Sequence, residues 1–169
     1  MAISLVACSN QSNDALTVVY NTSVDVPLYH WTSTDTLFYP IYIDKEPNMK
    51  NPIRQDKDYH LRISLRHTPG FPLSQVPAYF CLQKADTVME HYILPKRILQ
   101  RPVAPNVRDE RGMPLGTGWG SLYEYQEIIP DITVRFPEPG PYRMLIIPRF
   151  DGAEEGIDGM ASIGIELYE

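Results

Sequence analysis

Apolar and polar residues alternate along several short segments, and this alternation constrains the fold more than any other feature of the chain. In the segment 59–66, YHLRISLR, every odd position is apolar and every even position is polar or charged. The segment 132–136, ITVRF, alternates in the same way. Because successive side chains of a β-strand point to opposite faces, such a segment buries one face and exposes the other. The pattern therefore predicts strands of a sheet that is covered on one side.

Further strand candidates have less regular patterns. The segments 37–43 and 142–147 are apolar on both faces over part of their length, which indicates central strands or strands covered by a loop. Turn-forming sequences, TPG at 68–70 and the Pro-rich segment 137–141, separate several strands. The remaining strand candidates are 16–20, 78–83, 88–94, 121–128 and 163–168.

The proline and tyrosine content supports the same fold class. The chain of 169 residues contains 16 Pro and 11 Tyr, and this share of Pro is roughly twice the average. Pro breaks helix interiors and favours turns and edge strands, whereas Tyr suits half-buried sheet positions. A helical turn or two is predicted only near 96–100, ended by Pro102, and 106–117 is expected to form an ordered loop. We therefore predict an all-β fold, a single antiparallel β-sandwich over residues 16–169, jelly-roll-like or immunoglobulin-like.

The charge distribution disfavours two classes of surface. The formal net charge is −6 at pH 7, and Lys and Arg form no cluster. Nucleic-acid binding requires concentrated Lys and Arg, and electrostatic docking on anionic lipid requires a polybasic segment. No apolar run approaches the roughly 20 residues of a membrane-spanning helix.

The N-terminus carries the most informative short motif. The segment 5–8, LVAC, matches a bacterial lipobox, with an apolar residue three positions before Cys8 and a small residue next to it. We expect lipidation at Cys8, with 1–8 as a truncated lipoprotein signal and residues 9–15, which are polar up to Asp14, as a flexible tether. The alternative is an ordinary cysteine in an N-terminal strand. Because a signal peptide has a positive n-region and roughly 7–15 apolar residues, we expect the true start codon to lie upstream.

Three segments of the C-terminal half carry motifs in a defined order. They are LGTGWG at 115–120, VRFPEPGPY at 134–142 and IDGMASIGIE at 157–166. Together with DTLF at 35–38, LRISLRH at 61–67, FPLS at 71–74 and the lipobox, they resemble the gliding-motility lipoprotein family GldH of Bacteroidetes.

The resemblance implies a lipid-anchored protein of the cell envelope, at the outer membrane or its periplasmic face, in the gliding-motility and surface-protein secretion apparatus. It also implies a non-catalytic, protein-binding role, with partners among other envelope lipoproteins and proteins of that machinery. The alternative function is a carbohydrate-binding β-sandwich module on a lipoprotein, in which Trp31 and Trp119 stack on sugar rings.

The sequence contains none of the short motifs that mark common catalytic sites. No Gly-x-Ser-x-Gly, His-Glu-x-x-His, phosphate-loop or Cys-x-x-Cys motif occurs, so we expect neither enzymatic activity nor a cofactor. The four histidines, His30, His60, His67 and His91, lack metal-ligand spacing. Cys81 lies in an apolar run and is expected to be a buried free thiol.

One acidic loop is a candidate Ca²⁺ site. Asp151, Glu154, Glu155 and Asp158 supply four carboxylates within eight residues. Hard oxygen ligands on a flexible loop suit Ca²⁺, although the spacing differs from that of an EF-hand. The alternative, which we expect, is a solvated acidic turn.

Overall fold

The structure, a computed structural model, describes residues 16–85, 95–151 and 155–169. These residues form β-strands and one short 3-10 turn, Pro27–Tyr29, so the predicted all-β fold is confirmed. No helix within these ranges is long and apolar enough to cross a membrane. The strands are β1 (Val18–Asp25), β2 (His30–Trp31), β3 (Leu37–Ile43), β4 (Asp58–His67), β5 (Ala78–Lys84), β6 (Lys96–Val103), β7 (Thr117–Trp119), β8 (Leu122–Arg135), β9 (Gly140–Pro148), β10 (Ile157–Asp158) and β11 (Met160–Tyr168).

The strands form two main sheets in which every pairing is antiparallel. The five-stranded sheet has the order β1-β11-β4-β8-β7, and the four-stranded sheet has the order β3-β9-β5-β6. β2 and β10 form a separate antiparallel pair. The two main sheets enclose one core, so the predicted antiparallel β-sandwich is confirmed.

The strand pairing is nested along the chain. β1 pairs with β11, β3 with β9, β4 with β8, and β5 with β6. Such nesting results when one long antiparallel hairpin folds over on itself and distributes eight strands over two layers, as in a jelly roll. Of the two predicted sandwich types, the topology is therefore the jelly roll, with β7 added beside β8.

The core is built from the apolar positions of the alternating strands. In β4 the odd residues are buried, whereas the even residues are exposed or half-buried, as the alternation predicted. One hydrogen bond crosses the core, because the buried hydroxyl of Tyr39 on β3 donates to the carbonyl oxygen of Ile163 on β11 at 2.8 Å. Burial raises the pKa of Tyr39, so this hydroxyl keeps its proton and ties the two sheets together.

One long strand, β8, replaces the two strands predicted at 121–128 and 132–136. Its pairing with β4 skips residues 130–132 at a bulge. Pro130 has no N–H to donate to the ladder, and Asp131 adopts a φ of 63°, so the bulge accommodates both residues without ending the strand.

The helical turn predicted at 96–100 is wrong, because these residues lie in β6. Pairing with β5 overrides the weak local helical signal, since sheet context dominates over intrinsic propensity. β6 is an edge strand, which is the position in a sheet where Pro102 is tolerated.

The two segments that were apolar on both faces have different positions. Residues 142–147 lie in β9, a central strand of the four-stranded sheet. Residues 37–43 form β3, an edge strand whose Phe38 and Tyr42 are about half exposed. The strand predicted at 88–94 lies outside the described residues.

Candidate functional site

The outward face of the five-stranded sheet carries mostly polar side chains in register across four strands. The even residues of β4 point to this face, and the pairing registers place outward residues of β1, β11 and β8 beside them. Because directly opposite residues on neighbouring strands lie close together, three rows of side chains result. The rows are Asp25, Ser162, Arg66 and Glu124; Ser23, Gly164, Ser64 and Gln126; and Asn21, Glu166, Arg62 and Ile128.

The rows enclose a depression of about 300 Å³, which we call the polar groove. This volume is at the lower end of the range for small-ligand sites. Every side chain that lines the groove is polar or charged. The lining residues are Asn21, Ser23, Asp25, Ser64, Arg66, Glu124, Gln126, Ser162 and Glu166.

The middle row is the row of smallest side chains, and Gly164 lies within it. A Cβ atom added to Gly164 would lie 2.2 Å from Ser64 Oγ and 3.4 Å from the carbonyl oxygen of Thr22. A larger side chain at this position would therefore collide with β4 and narrow the groove. The depression exists because glycine and serine occupy adjacent positions on neighbouring strands.

A buried ion pair stiffens one end of the polar groove. The side chain of Glu166 is 5% exposed and that of Arg62 is 23% exposed. Arg62 Nε donates to Glu166 Oε2 at 2.6 Å, and Asn21 Nδ2 donates to Glu166 Oε1 at 3.1 Å. The Arg62 guanidinium also lies 5.8 Å from the centre of the Tyr168 ring. These contacts join β1, β11 and β4 and hold the Glu166 carboxylate in one position.

Among the described residues, Arg66 has no such partner. It lies between the polar groove and a second depression of about 360 Å³, which Thr117 and Ser121 also line. In the described part of the chain, no side-chain hydrogen bond or ion pair engages the following groove residues: Asp25, Ser64, Arg66, Glu124 and Gln126. Their donors and acceptors are available to water or to a ligand.

Trp31 is not a stacking platform, contrary to its role in the carbohydrate hypothesis. Its side chain is fully buried. The indole Nε1 donates to the carbonyl oxygen of Asp35 at 2.7 Å, and the ring packs edge-on against Phe150 at 5.2 Å. Trp119 ends β7, and its side chain lies outside the described part of the structure.

Two residues of the acidic loop, Glu155 and Asp158, contact His30. His30 Nδ1 lies 2.7 Å from Asp158 Oδ1, and His30 Nε2 lies 2.7 Å from the carbonyl oxygen of Glu155. Both partners accept hydrogen bonds, so the doubly protonated ring satisfies both, and the hydrogen bond that His30 donates to Asp158 raises the pKa of His30. The described residues contain no group of three or more potential metal ligands. Asp151 is described, whereas Glu154 lies outside the described residues.

The other histidines and the cysteines occupy separate positions. His60 faces outward and packs on Tyr168 at 5.4 Å, whereas His67 is buried on the opposite face, with Nδ1 3.0 Å from the carbonyl oxygen of Thr68. Cys81 is a buried free thiol, as predicted, and burial raises its pKa. His91 and the predicted lipidation site, Cys8, lie outside the described residues.

Sequence reasoning missed the polar groove, although it marked the even residues of β4 as outward. Arg66 and Glu124 become neighbours only through the pairing of β4 with β8, and no local pattern encodes that register. The available signal in the sequence was Arg66, a basic residue at the end of the alternating segment 59–66.

In comparisons with known proteins, no protein-family model and no curated protein matches the chain.

Proposed function

We propose that this chain is a lipid-anchored, non-catalytic protein of the cell envelope that binds its partners through the polar groove. The lipobox at Cys8 and the resemblance to GldH support a setting in the gliding-motility and surface-protein secretion apparatus. The partners in this proposal are other envelope lipoproteins or proteins of that machinery. The observation that carries the binding role is a depression on a regular sheet, lined by polar side chains that have no side-chain partner within the described ranges.

Two properties of the polar groove suit recognition. Its lining residues lie on strands, which position side chains more accurately than loops do. Its free donors and acceptors are met by water in the unbound protein, and a ligand that replaces this water with matched groups keeps the hydrogen bonds. The ion pair of Glu166 and Arg62 already restricts the side chains on one side of the groove before binding. Less conformational entropy is therefore lost when a ligand binds.

The shifted pKa values of carboxyl groups have structural causes. The hydrogen bond from Arg135 lowers the pKa of Asp58, and the hydrogen bond from Lys84 lowers the pKa of Glu138. Both pairs lie away from the polar groove. Catalytic carboxyl groups typically combine a shifted pKa with a position in a cleft, whereas the shifts of Asp58 and Glu138 are explained by their ion pairs.

Metabolic labelling with an alkyne-tagged fatty acid tests the anchor. Cells that express the full-length chain from its native locus are expected to yield a labelled protein in the membrane fraction. Cys8→Ser is expected to remove the label and release the protein, whereas Cys81→Ser serves as the matched control and keeps both. A labelled Cys8→Ser protein would contradict the proposed anchor.

A pull-down from detergent-solubilised envelope tests the binding role. The full-length acylated protein is expected to capture envelope proteins, and Arg66→Ala is expected to reduce this capture. Arg101→Ala is the matched control, because Arg101 is exposed on β6 in the other sheet. Unchanged motility and unchanged surface-protein export after deletion of the gene would contradict the proposed apparatus.

A further inference from the structure

The free groups of the polar groove include both hydrogen-bond donors and acceptors. The guanidinium of Arg66 only donates, whereas the carboxylates of Asp25 and Glu124 only accept. The hydroxyl of Ser64 and the amide of Gln126 do both. A ligand that fills the groove must therefore present donors and acceptors at close spacing.

The charges in the polar groove disfavour an ionic ligand. Glu166 is already paired with Arg62, so three charges remain. Arg66 lies in one row with Asp25 and Glu124. Its strand, β4, lies between the two strands that carry these carboxylates, β1 and β8. An anion would meet two carboxylates and a cation would meet the guanidinium, and such like-charge contacts are costly. An uncharged polar ligand avoids both contacts.

The lining of the polar groove also disfavours a peptide held by an apolar anchor. Protein interfaces obtain most of their affinity from aromatic or aliphatic side chains that enter desolvated pockets. All residues that line the groove are polar or charged, so an apolar anchor finds no matching surface there. The absence of a side chain at Gly164, next to Ser64, instead leaves room for a ligand that is polar on all sides.

We propose that the polar groove binds a neutral carbohydrate. Each sugar hydroxyl both donates and accepts, so adjacent hydroxyls match the free groups of Arg66, Glu124 and Gln126. This inference rests on the proposed binding role of the groove and identifies the part of an envelope partner that would enter it as a neutral glycan. Because Trp31 is buried, the binding uses hydrogen bonds of groove side chains in place of stacking on that indole.

The test is a glycan array probed with the full-length chain that carries Cys8→Ser, followed by calorimetric titration with the strongest neutral oligosaccharide on the array. We expect neutral glycans to bind and acidic glycans to bind less. Arg66→Ala and Gln126→Ala are each expected to weaken binding about tenfold, the loss that one good hydrogen bond to a ligand accounts for. The matched controls on the opposite sheet, Arg101→Ala and Gln100→Ala, are expected to leave the affinity unchanged.

Three outcomes would overturn the carbohydrate inference. The first is an array without neutral binders, and the second is a preference for acidic glycans. The third is glycan binding that Arg66→Ala and Gln126→Ala leave unchanged while circular dichroism shows that both variants are folded. An empty array together with protein capture that depends on Arg66 would reject the carbohydrate and leave the proposed binding role intact. If neutral glycans bind but deletion of the gene changes neither motility nor surface-protein export, the proposed role in that apparatus is rejected and the carbohydrate site stands.

Discussion

The buried ion pair of Arg62 and Glu166 gives an asymmetric prediction for stability. Removal of Arg62 leaves a carboxylate whose side chain is only 5% exposed, with Asn21 as its remaining donor. We expect Arg62→Met to lower the free energy of unfolding by about 3 kcal/mol, the low end of the cost of breaking a buried pair. Glu166→Gln keeps an acceptor for Asn21 and leaves a guanidinium that still reaches water, so we expect a loss of about 1 kcal/mol.

Urea denaturation at pH 7, monitored by circular dichroism, measures both losses in the free energy of unfolding. In thermal unfolding, the expected decreases in Tm for a chain of this size are about 6–12 °C for Arg62→Met and about 2–4 °C for Glu166→Gln. The double variant Arg62→Met/Glu166→Met removes both charges and is expected to lie within about 1 kcal/mol of the wild type. If the double variant is more stable than Arg62→Met, the loss in Arg62→Met comes from the desolvated, unpaired carboxylate of Glu166.

An exposed ion pair provides the control. Arg135 Nε lies 2.6 Å from Asp58 Oδ1, and both side chains are at least half exposed. Arg135→Met is therefore expected to change the stability much less than Arg62→Met, because water screens exposed pairs. Equal losses for Arg62→Met and Glu166→Gln, or a double variant as unstable as Arg62→Met, would refute the reasoning.

Three further predictions concern other parts of the fold. Tyr39→Phe removes the hydrogen bond to the carbonyl oxygen of Ile163 and is expected to cost about 1 kcal/mol in urea denaturation; no loss would show that this bond is not stabilising. The raised pKa of His30 means that its contribution to stability is complete below the ordinary value of 6.5 and is lost as pH rises through the folded pKa. NMR titration is expected to show a lower His30 pKa in Asp158→Asn, and an unchanged pKa would contradict the contact. Cys81 is expected to react with a thiol reagent only upon unfolding, because it is buried and its pKa is raised; rapid labelling of the folded protein would contradict this.

The strands that sequence predicted well are those whose signal is local. The alternation in 59–66 identified both the strand and its buried face, since the period of two belongs to the segment itself. The prediction left residues 129–131 out of both strand candidates, whereas the register with β4 makes Pro130 and Asp131 part of a bulge within β8. The presence of a strand and its buried face were thus encoded in the local sequence. The continuity of β8 depended on its pairing with β4.

The candidate site could not be predicted for the same reason. Arg66 and Glu124 are distant in sequence, and only the pairing of β4 with β8 makes them neighbours. Trp31 gave a similar difficulty, since an indole in a short polar segment is compatible with exposure or burial. Its burial includes an edge-on contact with Phe150, which follows the end of β9 and is distant in the sequence.

The nested pairing has a mechanical consequence. β1 leads directly from the N-terminal side of the chain, forms one wall of the polar groove and pairs with β11 over most of its length. For a protein attached through its N-terminus, tension from a ligand in the groove would act along β1. Antiparallel hydrogen bonds lie perpendicular to the strands, so this tension would load the bonds between β1 and β11 together, in shear, and would not open them one at a time. If the N-terminus is anchored as proposed, β1 lies between the anchor and the groove and would bear a pulling force in shear.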